Sequence, residues 1–523
     1  MQWHSLNTKY HCTKEVGVIG QTKYSHFFLP IVIYTCVCWV RGSMIGSYPC
    51  TDEGIWAYYS MITSHVINTE SELTVEGYIN LYPTICSFIF NLEVNPFLSL
   101  RIIDLIFTCL SFYMLYLICI KYTDSKLISL LIIIPFIFVF NHPKYIQAGF
   151  KNSIIISSFF IYLSFYLFLV NSKNSYVLHY ICGISLMLSV LFREFHIFVC
   201  SLLFIIYFIK LKKNIIPVIL GMVTSFFATF LVLTWIRGLS LFEQLFNAYL
   251  KQSEFYKQNK EEIYTNLENS FNIFILDIWV IIPFVLYFLI SSINLQLSLK
   301  VILNFISFAS ILMVEPLLKI CFPYHLCSIY FIVPIFTSQL HQNYFIKSKK
   351  KLHFMRPFFI LLLVLFSIYS IYLNNSSILH RYKNNTLPNL MSLVNRKWSN
   401  DFVNKSHYLI VSKKIKDEAK PHDTLCVSGY AHVLFPLTGL FPANSKFEDL
   451  YYACLSFGEE NLKIELVNNS PDIIYLSKRD SILYAKLLSI INSTSLYNII
   501  EDFPLNKSIH YGQFSATLFK LKS

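Results

Sequence analysis

The sequence predicts a polytopic α-helical membrane protein with about eleven transmembrane helices, interfacial helices and a small C-terminal extracytoplasmic α/β domain. The 523-residue chain is 55% hydrophobic and only 14% charged, which is too apolar for a soluble globular protein. Runs of roughly 17 to 25 apolar residues recur along residues 25–373, and each is long enough to cross a bilayer. From about residue 422 the pattern changes to short apolar strands that alternate with helical segments, as in α/β domains.

The candidate transmembrane helices follow a polar segment at 1–24 that we expect to be cytoplasmic. In lipid, an apolar run satisfies all its own backbone hydrogen bonds only as a helix. The predicted spans lie near 26–46, 97–119, 126–141, 152–170, 176–192, 195–210, 214–236, 271–291, 299–314, 324–341 and 357–373.

The basic residues predict the orientation of these spans. The net charge of +12 comes from Lys and Arg in short loops between apolar runs, which is typical of membrane orientation, so we expect no nucleic-acid partner. The two densest clusters, at 210–213 and KSKKKLHFMR at 347–356, both face the cytoplasm if the N-terminus does. An odd number of spans then places a polar connector at 374–421 and the domain at 422–523 outside.

The first outer loop, residues 47–96, contains the stretch YPCTDEGIWAYYS at 48–60. This stretch puts two adjacent carboxylates, Asp52 and Glu53, at the membrane surface, directly before a group of aromatic residues. Such a pair costs several kcal/mol inside lipid, so it must face water, a partner or a substrate. The residues alone leave open a simpler interpretation, an ordinary solvated loop with interfacial aromatic side chains.

Helical patterns at 54–68, 79–91 and 237–270 predict amphipathic helices that lie in the membrane interface. Arg101 and Asp104, one turn apart on the second span, are expected to pair with each other or to cap a cavity.

Polar residues that interrupt apolar runs concentrate on the outer face. They are Asp52, Glu53, His142, Lys144, Lys151, Arg193, Glu194, His196, Arg237, Glu315, Lys319 and His325. A structural protein needs no such one-sided clustering, which therefore predicts a catalytic or transport cavity that opens at the outer leaflet.

Three short segments predict strands of the C-terminal domain: DTLCVSG at 423–429, PDIIYLSK at 471–478 and FSATLFKL at 514–521. Helical patterns occupy 446–468 and 479–492. No GxGxxG motif accompanies them, so we assign no nucleotide. The 13 cysteines show no zinc-site spacing, and whether Cys426 and Cys454 pair stays open at this point.

Three stretches of the sequence carry a resemblance to a known family: YPCTDEGIWAYYS, YHLCSIYFIVPIF at 324–336 and CVSGYAHVLFPLTGLFPANSKF at 426–447. Through them the chain resembles the GT-C integral-membrane glycosyltransferases. The likeness is to the branch that contains lipid A aminoarabinose transferase, the protein O-mannosyltransferases and serotype-converting O-antigen glucosyltransferases. The Lys-Pro-Pro segment of the lipid A branch is absent, and GYINLYP at 77–83, which includes Tyr82, occupies that region. The His-Lys-Glu motif of some dolichol-dependent mannosyltransferases is also missing.

The resemblance implies Asp52 as the base for an acceptor hydroxyl, with Glu53 orienting it or sharing a divalent metal ion with it. A lipid-phosphate donor already carries a good leaving group, so the reaction needs one base and cations rather than two working carboxylates. For substrate binding we favour Arg193, whose guanidinium can bind phosphate at the outer end of a helix. Arg237, Lys144, His325 and Tyr82 complete the expected substrate-binding set. Arg193 alone also fits a local pair with Glu194 or lipid contact.

The resulting prediction is an inverting hexosyltransferase of the bacterial inner membrane. It would move a hexose, specifically glucose, from a polyprenyl phosphate to a periplasmic glycan such as lipopolysaccharide O-antigen, and its site and C-terminus would face the periplasm. The expected partners are this donor lipid, the glycan acceptor and membrane lipid. The alternatives are a lipid-linked glycan flippase, which should show internal repeats with broken helices, and an O-antigen polymerase, which should carry a large central outer loop.

Overall fold

The computed structural model describes residues 25–42, 51–69, 81–90, 96–140, 153–170, 175–193, 196–237, 264–265, 268, 272, 327–343, 355–383, 406–429, 431–444, 447–478, 480–504 and 515–522.

Eleven helices occupy the described residues before position 384. They are α1 (Ser25–Gly42), α2 (Thr51–Thr69), α3 (Leu81–Phe90), α4 (Pro96–Thr123), α5 (Lys126–Phe140), α6 (Ser153–Val170), α7 (Tyr176–Phe192), α8 (Ile197–Leu211), α9 (Ile216–Arg237), α10 (Cys327–His341) and α11 (Met355–Lys383). A short 3₁₀ turn at Lys212–Ile215 joins α8 to α9.

Nine of these helices coincide with predicted spans, and α2 and α3 are the additional two. Three are long and apolar enough to cross a membrane by length and composition: Phe97–Thr123, Ser153–Val170 and Ile216–Trp235. Apolar helices of 10–17 residues lie at Pro30–Arg41, Lys126–Val139, Tyr176–Phe192, Ile197–Leu211 and Pro357–Tyr372. The spans expected near 271–291 and 299–314 lie outside the described residues, so the total of eleven stays a prediction.

Two glycines let α7 and α9 pack closely. A Cβ added at Gly183 would collide with the carbonyl oxygen of Val218, and one at Gly221 with the carbonyl oxygen of Tyr180. Small residues are the usual means by which apolar helices approach backbone to backbone.

The chain after residue 405 forms a layered structure that we call the C-terminal α/β region, the described residues from 406 to 522. Its helices are α12 (His407–Glu418), α13 (Leu434–Thr438), α14 (Leu450–Phe457), α15 (Glu459–Asn468) and α16 (Ser481–Thr494). Its strands are β1 (Leu425–Cys426), β2 (Ile473–Ser477), β3 (Tyr497–Phe503) and β4 (Ala516–Leu521), in the sheet order β1-β2-β4-β3. β1 and β2 are parallel, and the other pairs are antiparallel.

Alternation along the strands gives this sheet two buried faces. Leu425, Val427 and Tyr475 lie in one core cluster with α12, α13 and residues of α2 and α3. Cys426, Ile474 and the helices α14 to α16 form a second cluster. One face of the sheet is therefore continuous with the core of the helical part, and the other is covered by the region's own helices.

The C-terminal prediction matches the structure in part. Each of the three predicted strand segments contains a strand, but β3 is an additional one, and its mostly exposed side chains give no apolar alternation to detect. The helical pattern at 446–468 is two helices, because Gly458 adopts φ +76° and ends the first. Cys426 and Cys454 are buried free thiols.

The helix predicted at 54–68 exists as α2, but it does not expose a polar face to the membrane interface. Its residues from Glu53 to Ser64 are buried except for Ile55 and Trp56, which are partly buried. The C-terminal α/β region and the helices α3 and α4 cover it, which is why its own amphipathic pattern is misleading. By contrast, α3 exposes Ile85 and Phe88, as an interfacial helix does. The segment predicted at 237–270 lies almost entirely outside the described residues.

Acid should destabilise the C-terminal α/β region. Burial lowers the pKa of His407, whose Nε2 lies 3.0 Å from the Tyr475 hydroxyl, to about 4. In the unfolded chain the histidine takes up this proton near its ordinary pKa of 6.5, so stability is intact above that pH and falls as the pH drops towards 4. The loss is on the order of 3 kcal/mol. Thermal unfolding of the detergent-solubilised protein between pH 7 and 4.5 measures it, and His407→Gln should lose less than the wild type. An equal loss in that variant would contradict the assignment.

Candidate functional site

Helix α2, which begins at Thr51 with the acidic pair in its first turn, has a different neighbour on each of three faces. Glu53 faces α4, Trp56 and Ser60 face α3, and Gly54, Tyr58 and His65 face the C-terminal α/β region. Residues four apart share a helix face, which explains why Gly54 and Tyr58 meet the same partner. The sequence thus places the carboxylates on the helix where the two parts of the chain join.

Glu53 is fixed by a two-pronged ion pair with Arg101 of α4. Arg101 donates from Nε to Oε1 at 2.5 Å and from Nη2 to Oε2 at 2.7 Å, and both side chains are fully buried. A fork of this kind is a strong, geometrically specific form of carboxylate binding. Glu53 therefore anchors the first turn of α2, since both of its carboxylate oxygens accept hydrogen bonds from Arg101.

A second buried ion pair lies one turn further along α4. Arg41, in the last turn of α1, donates from Nε to Asp104 Oδ2 at 2.6 Å, and the two side chains are 2% and 0% exposed. The structure thus shows a different pairing from the expected one between Arg101 and Asp104. Both side chains lie on the face of α4 that meets α1 and α2, and each takes its partner from there.

The C-terminal α/β region touches α2 at its first turn. A Cβ added at Gly54 would lie 2.5 Å from Val433 Cα and 2.7 Å from its nitrogen, so only glycine permits this approach. One turn later, the ring of Tyr58 lies 4.5 Å from that of Phe435 and 5.4 Å from that of His432. Tyr58 also donates a hydrogen bond to Glu448. Burial lowers the pKa of His432 to about 4, so this contact is made by a neutral imidazole.

The segment that makes this contact leaves the carboxyl end of β1. Gly429 adopts φ +68°, and its N–H donates to Asp449 Oδ1 at 3.2 Å, the same oxygen that caps α14 through Tyr451 N–H at 2.8 Å. Ser477 N–H, at the end of β2, donates to Ser428 Oγ at 2.8 Å. The carboxyl ends of parallel strands are where α/β sheets usually bind ligands. Here the loop at that edge is held by these hydrogen bonds and lies beside the first turn of α2.

Tyr82 lies on the α3 side of the same centre. It is 1% exposed, and its ring meets that of Trp56 edge to face at 5.5 Å. Cys86, one turn later on α3, lies beside Tyr82 and Ser60. Tyr82 is thus a buried part of the packing around α2, and its place in the expected substrate-binding set stays a prediction.

Arg193 caps the end of α7 and is partly exposed. Its Nη1 donates to Ser153 Oγ at the start of α6, over 3.3 Å. The residue before it, Phe192, lies in the same core cluster as Tyr58 and Tyr82, so the end of α7 belongs to the surroundings of α2.

The remaining predicted residues are only partly placed. Asp52 lies in the first turn of α2 and Arg237 ends α9, but their side chains are outside the described residues. Lys144 and His325 lie outside them altogether. No group of three or more metal-ligating side chains occurs within the described part of the chain. Since Arg101 engages both oxygens of Glu53, a metal ion there would compete with that pair.

Comparisons with known proteins agree in fold but not in sequence. No protein-family model and no curated protein matches the chain. A crystal structure of ArnT from Cupriavidus metallidurans, bound to undecaprenyl phosphate, superposes on 96% of this chain and 99% of that one. The TM-score is 0.51 and the sequence identity 10%. The chain has the ArnT fold. At this identity the likeness shows the fold alone, so the GT-C resemblance of the sequence and its serotype-converting branch both stay predictions.

Gly54→Ala should loosen the contact between α2 and the C-terminal α/β region. The new Cβ meets backbone atoms of Val433, which cannot rotate away, so the two parts must separate, at a cost of about 1–3 kcal/mol. The expected result is a lower thermal midpoint and faster amide exchange at both 51–65 and 431–441. Gly439→Ala is the matched control, because no atom lies within 4 Å of its added Cβ, although its φ of +79° carries a small strain. Equal exchange in the two variants at α2 would contradict the close contact.

Proposed function

We propose that the protein is a membrane glycosyltransferase that moves a sugar from a polyprenyl-phosphate donor to a glycan acceptor. Two findings support this. The chain shares its fold over nearly the whole length with a protein crystallised with undecaprenyl phosphate. Its acidic pair also begins a buried helix that Arg101 anchors through Glu53. The Glu53–Arg101 pair is the observation that carries the proposal, because it fixes the first turn of α2, the turn to which Asp52 belongs.

In this mechanism Asp52 is the base and Glu53 the anchor. The acceptor hydroxyl oxygen attacks the anomeric carbon as its proton passes to the Asp52 carboxylate. The bond from that carbon to the phosphate oxygen breaks with inversion, and the lipid phosphate leaves with the electron pair. The N-terminal end of α2 carries a partial positive charge, which favours the ionised, basic form of a first-turn carboxylate. Arg193, at the end of α7, neutralises charge on the departing phosphate, with Arg237, Lys144 and His325 as further candidates.

The finer assignments rest on the resemblance of the sequence. We propose glucose as the hexose, O-antigen as the acceptor and the bacterial inner membrane as the location, with the site facing the periplasm. The C-terminal α/β region belongs to the acceptor side in this proposal, because the loop after β1 lies directly against the first turn of α2. Trp56, which is partly exposed on the opposite flank of α2, is then available to the donor sugar, and the buried ring of Tyr82 supports it.

The test is sugar transfer by the purified protein in lipid vesicles that hold labelled polyprenyl-phosphate glucose, with O-antigen as acceptor. Asp52→Asn should reduce turnover by about 10²–10⁴-fold at an unchanged thermal midpoint, since it removes a general base. Glu53→Gln should lower both activity and stability, because it leaves the buried Arg101 charge without its counter-ion, at a cost of about 3–5 kcal/mol.

Glu460→Gln is the control: it makes the same chemical change at an exposed position on α15 and should alter neither sugar transfer nor thermal stability. Transfer that survives both Asp52→Asn and Glu53→Gln would refute the proposal. Addition of a single sugar with release of lipid phosphate supports it. Chain growth would identify a polymerase, and movement of the lipid without chemistry would identify a flippase.

A further inference from the structure

The Arg41–Asp104 ion pair has no part in the mechanism above, although both side chains are buried. Asp104 accepts from two nitrogens of Arg41 through Oδ2, while its Oδ1 has no hydrogen-bond partner among the described residues. A buried ion pair is seldom more stabilising than apolar side chains of similar volume, and an unsatisfied carboxylate oxygen adds to its cost. Stability is therefore a poor explanation for this pair.

The positions of the two ion pairs on α4 offer a better explanation for the Arg41–Asp104 pair. Arg101 and Asp104 are three residues apart on α4, and their partners come from the two helices that flank a single connection. Arg41 is in the last turn of α1, which ends at Gly42, and Glu53 is in the first turn of α2, which begins at Thr51. Both ends of the connection at residues 43–50 are thus tied to one turn of α4. The two pairs are close enough for the charges of Glu53 and Asp104 to interact.

We infer that the Arg41–Asp104 pair is a positioning device for the acidic pair at the start of α2, an inference that rests on the proposed function. Glu53–Arg101 fixes the α2 end of the connection. Arg41–Asp104 fixes the α1 end, where Val37 and Val40 add apolar packing. A displacement of about 1 Å at a reacting group can cost up to 10²-fold in rate. The pair thus acts on turnover through Asp52 and touches no substrate itself.

The decisive variant removes the pair without leaving a buried charge. Arg41→Met combined with Asp104→Leu replaces both side chains by apolar ones, so the thermal midpoint should stay the same or rise. We expect kcat to fall about tenfold or more while KM for the donor lipid changes by less than about threefold. The reversed pair, Arg41→Asp with Asp104→Arg, should recover part of the lost turnover. Wild-type turnover in the apolar double variant would overturn the inference.

The control is an exposed ion pair away from the site. Lys486 Nζ lies 2.6 Å from Glu459 Oε1 on the far helices of the C-terminal α/β region. Lys486→Met combined with Glu459→Leu should leave kcat and KM unchanged. A fall in kcat equal to that of the Arg41–Asp104 variant would show that loss of any ion pair suffices, and would overturn a specific positioning role.

Amide exchange separates failure of this inference from failure of the proposed function. In the apolar double variant, the amides of residues 51–57 should exchange about tenfold faster than in the wild type, whereas the Lys486–Glu459 control should leave them unchanged. If the wild type transferred no sugar, the proposed function would fall, but this measurement would still decide whether the pair positions α2. Unchanged exchange at 51–57 in the apolar double variant would refute the positioning role.

Discussion

The arrangement of the molecule depends on a buried ion pair between Glu53 and Arg101. Neither charge has access to water, so each is tolerated only because the other lies in its fixed, two-pronged geometry. That requirement determines where α2 can lie relative to α4. Helix α3, the loop after β1 and the end of α7 then pack around a helix whose first turn can no longer move freely.

The join between the helical part and the C-terminal α/β region follows from the same helix. The sheet turns one face towards its own helices and the other towards α2, so a single apolar cluster runs from β1 and β2 into the first part of the chain. Gly54 adds a close backbone approach that no other residue would allow. The Asp-Glu-Gly stretch therefore combines three properties in consecutive positions: a carboxylate beside the anchor, the anchor itself, and a contact surface.

Local patterns in the sequence predict the helices well, because an apolar run in lipid has few alternatives to a helix. They also locate β1, β2 and β4, whose buried residues are consecutive apolar ones. They miss β3, which is largely exposed, and the partners of Arg101 and Asp104, which come from residues about 50 to 60 positions away. The burial of α2 could not be read from α2 itself, since the chain that covers it begins more than 300 residues later. Arg101 and Asp104, which are unusual on an apolar span, were the sequence signal of these buried ion pairs.

The contact between Gly54 and Val433 also constrains how the protein is made. These residues are about 380 positions apart, so α2 is synthesised and inserted long before the segment that covers it exists. Contacts of such long sequence separation form late, because the chain between them must first be brought together. During synthesis the face of α2 that meets Val433 therefore stays uncovered until the C-terminal α/β region has been made. Any premature stop before residue 433 would yield a membrane-embedded chain whose acidic helix never acquires its cover.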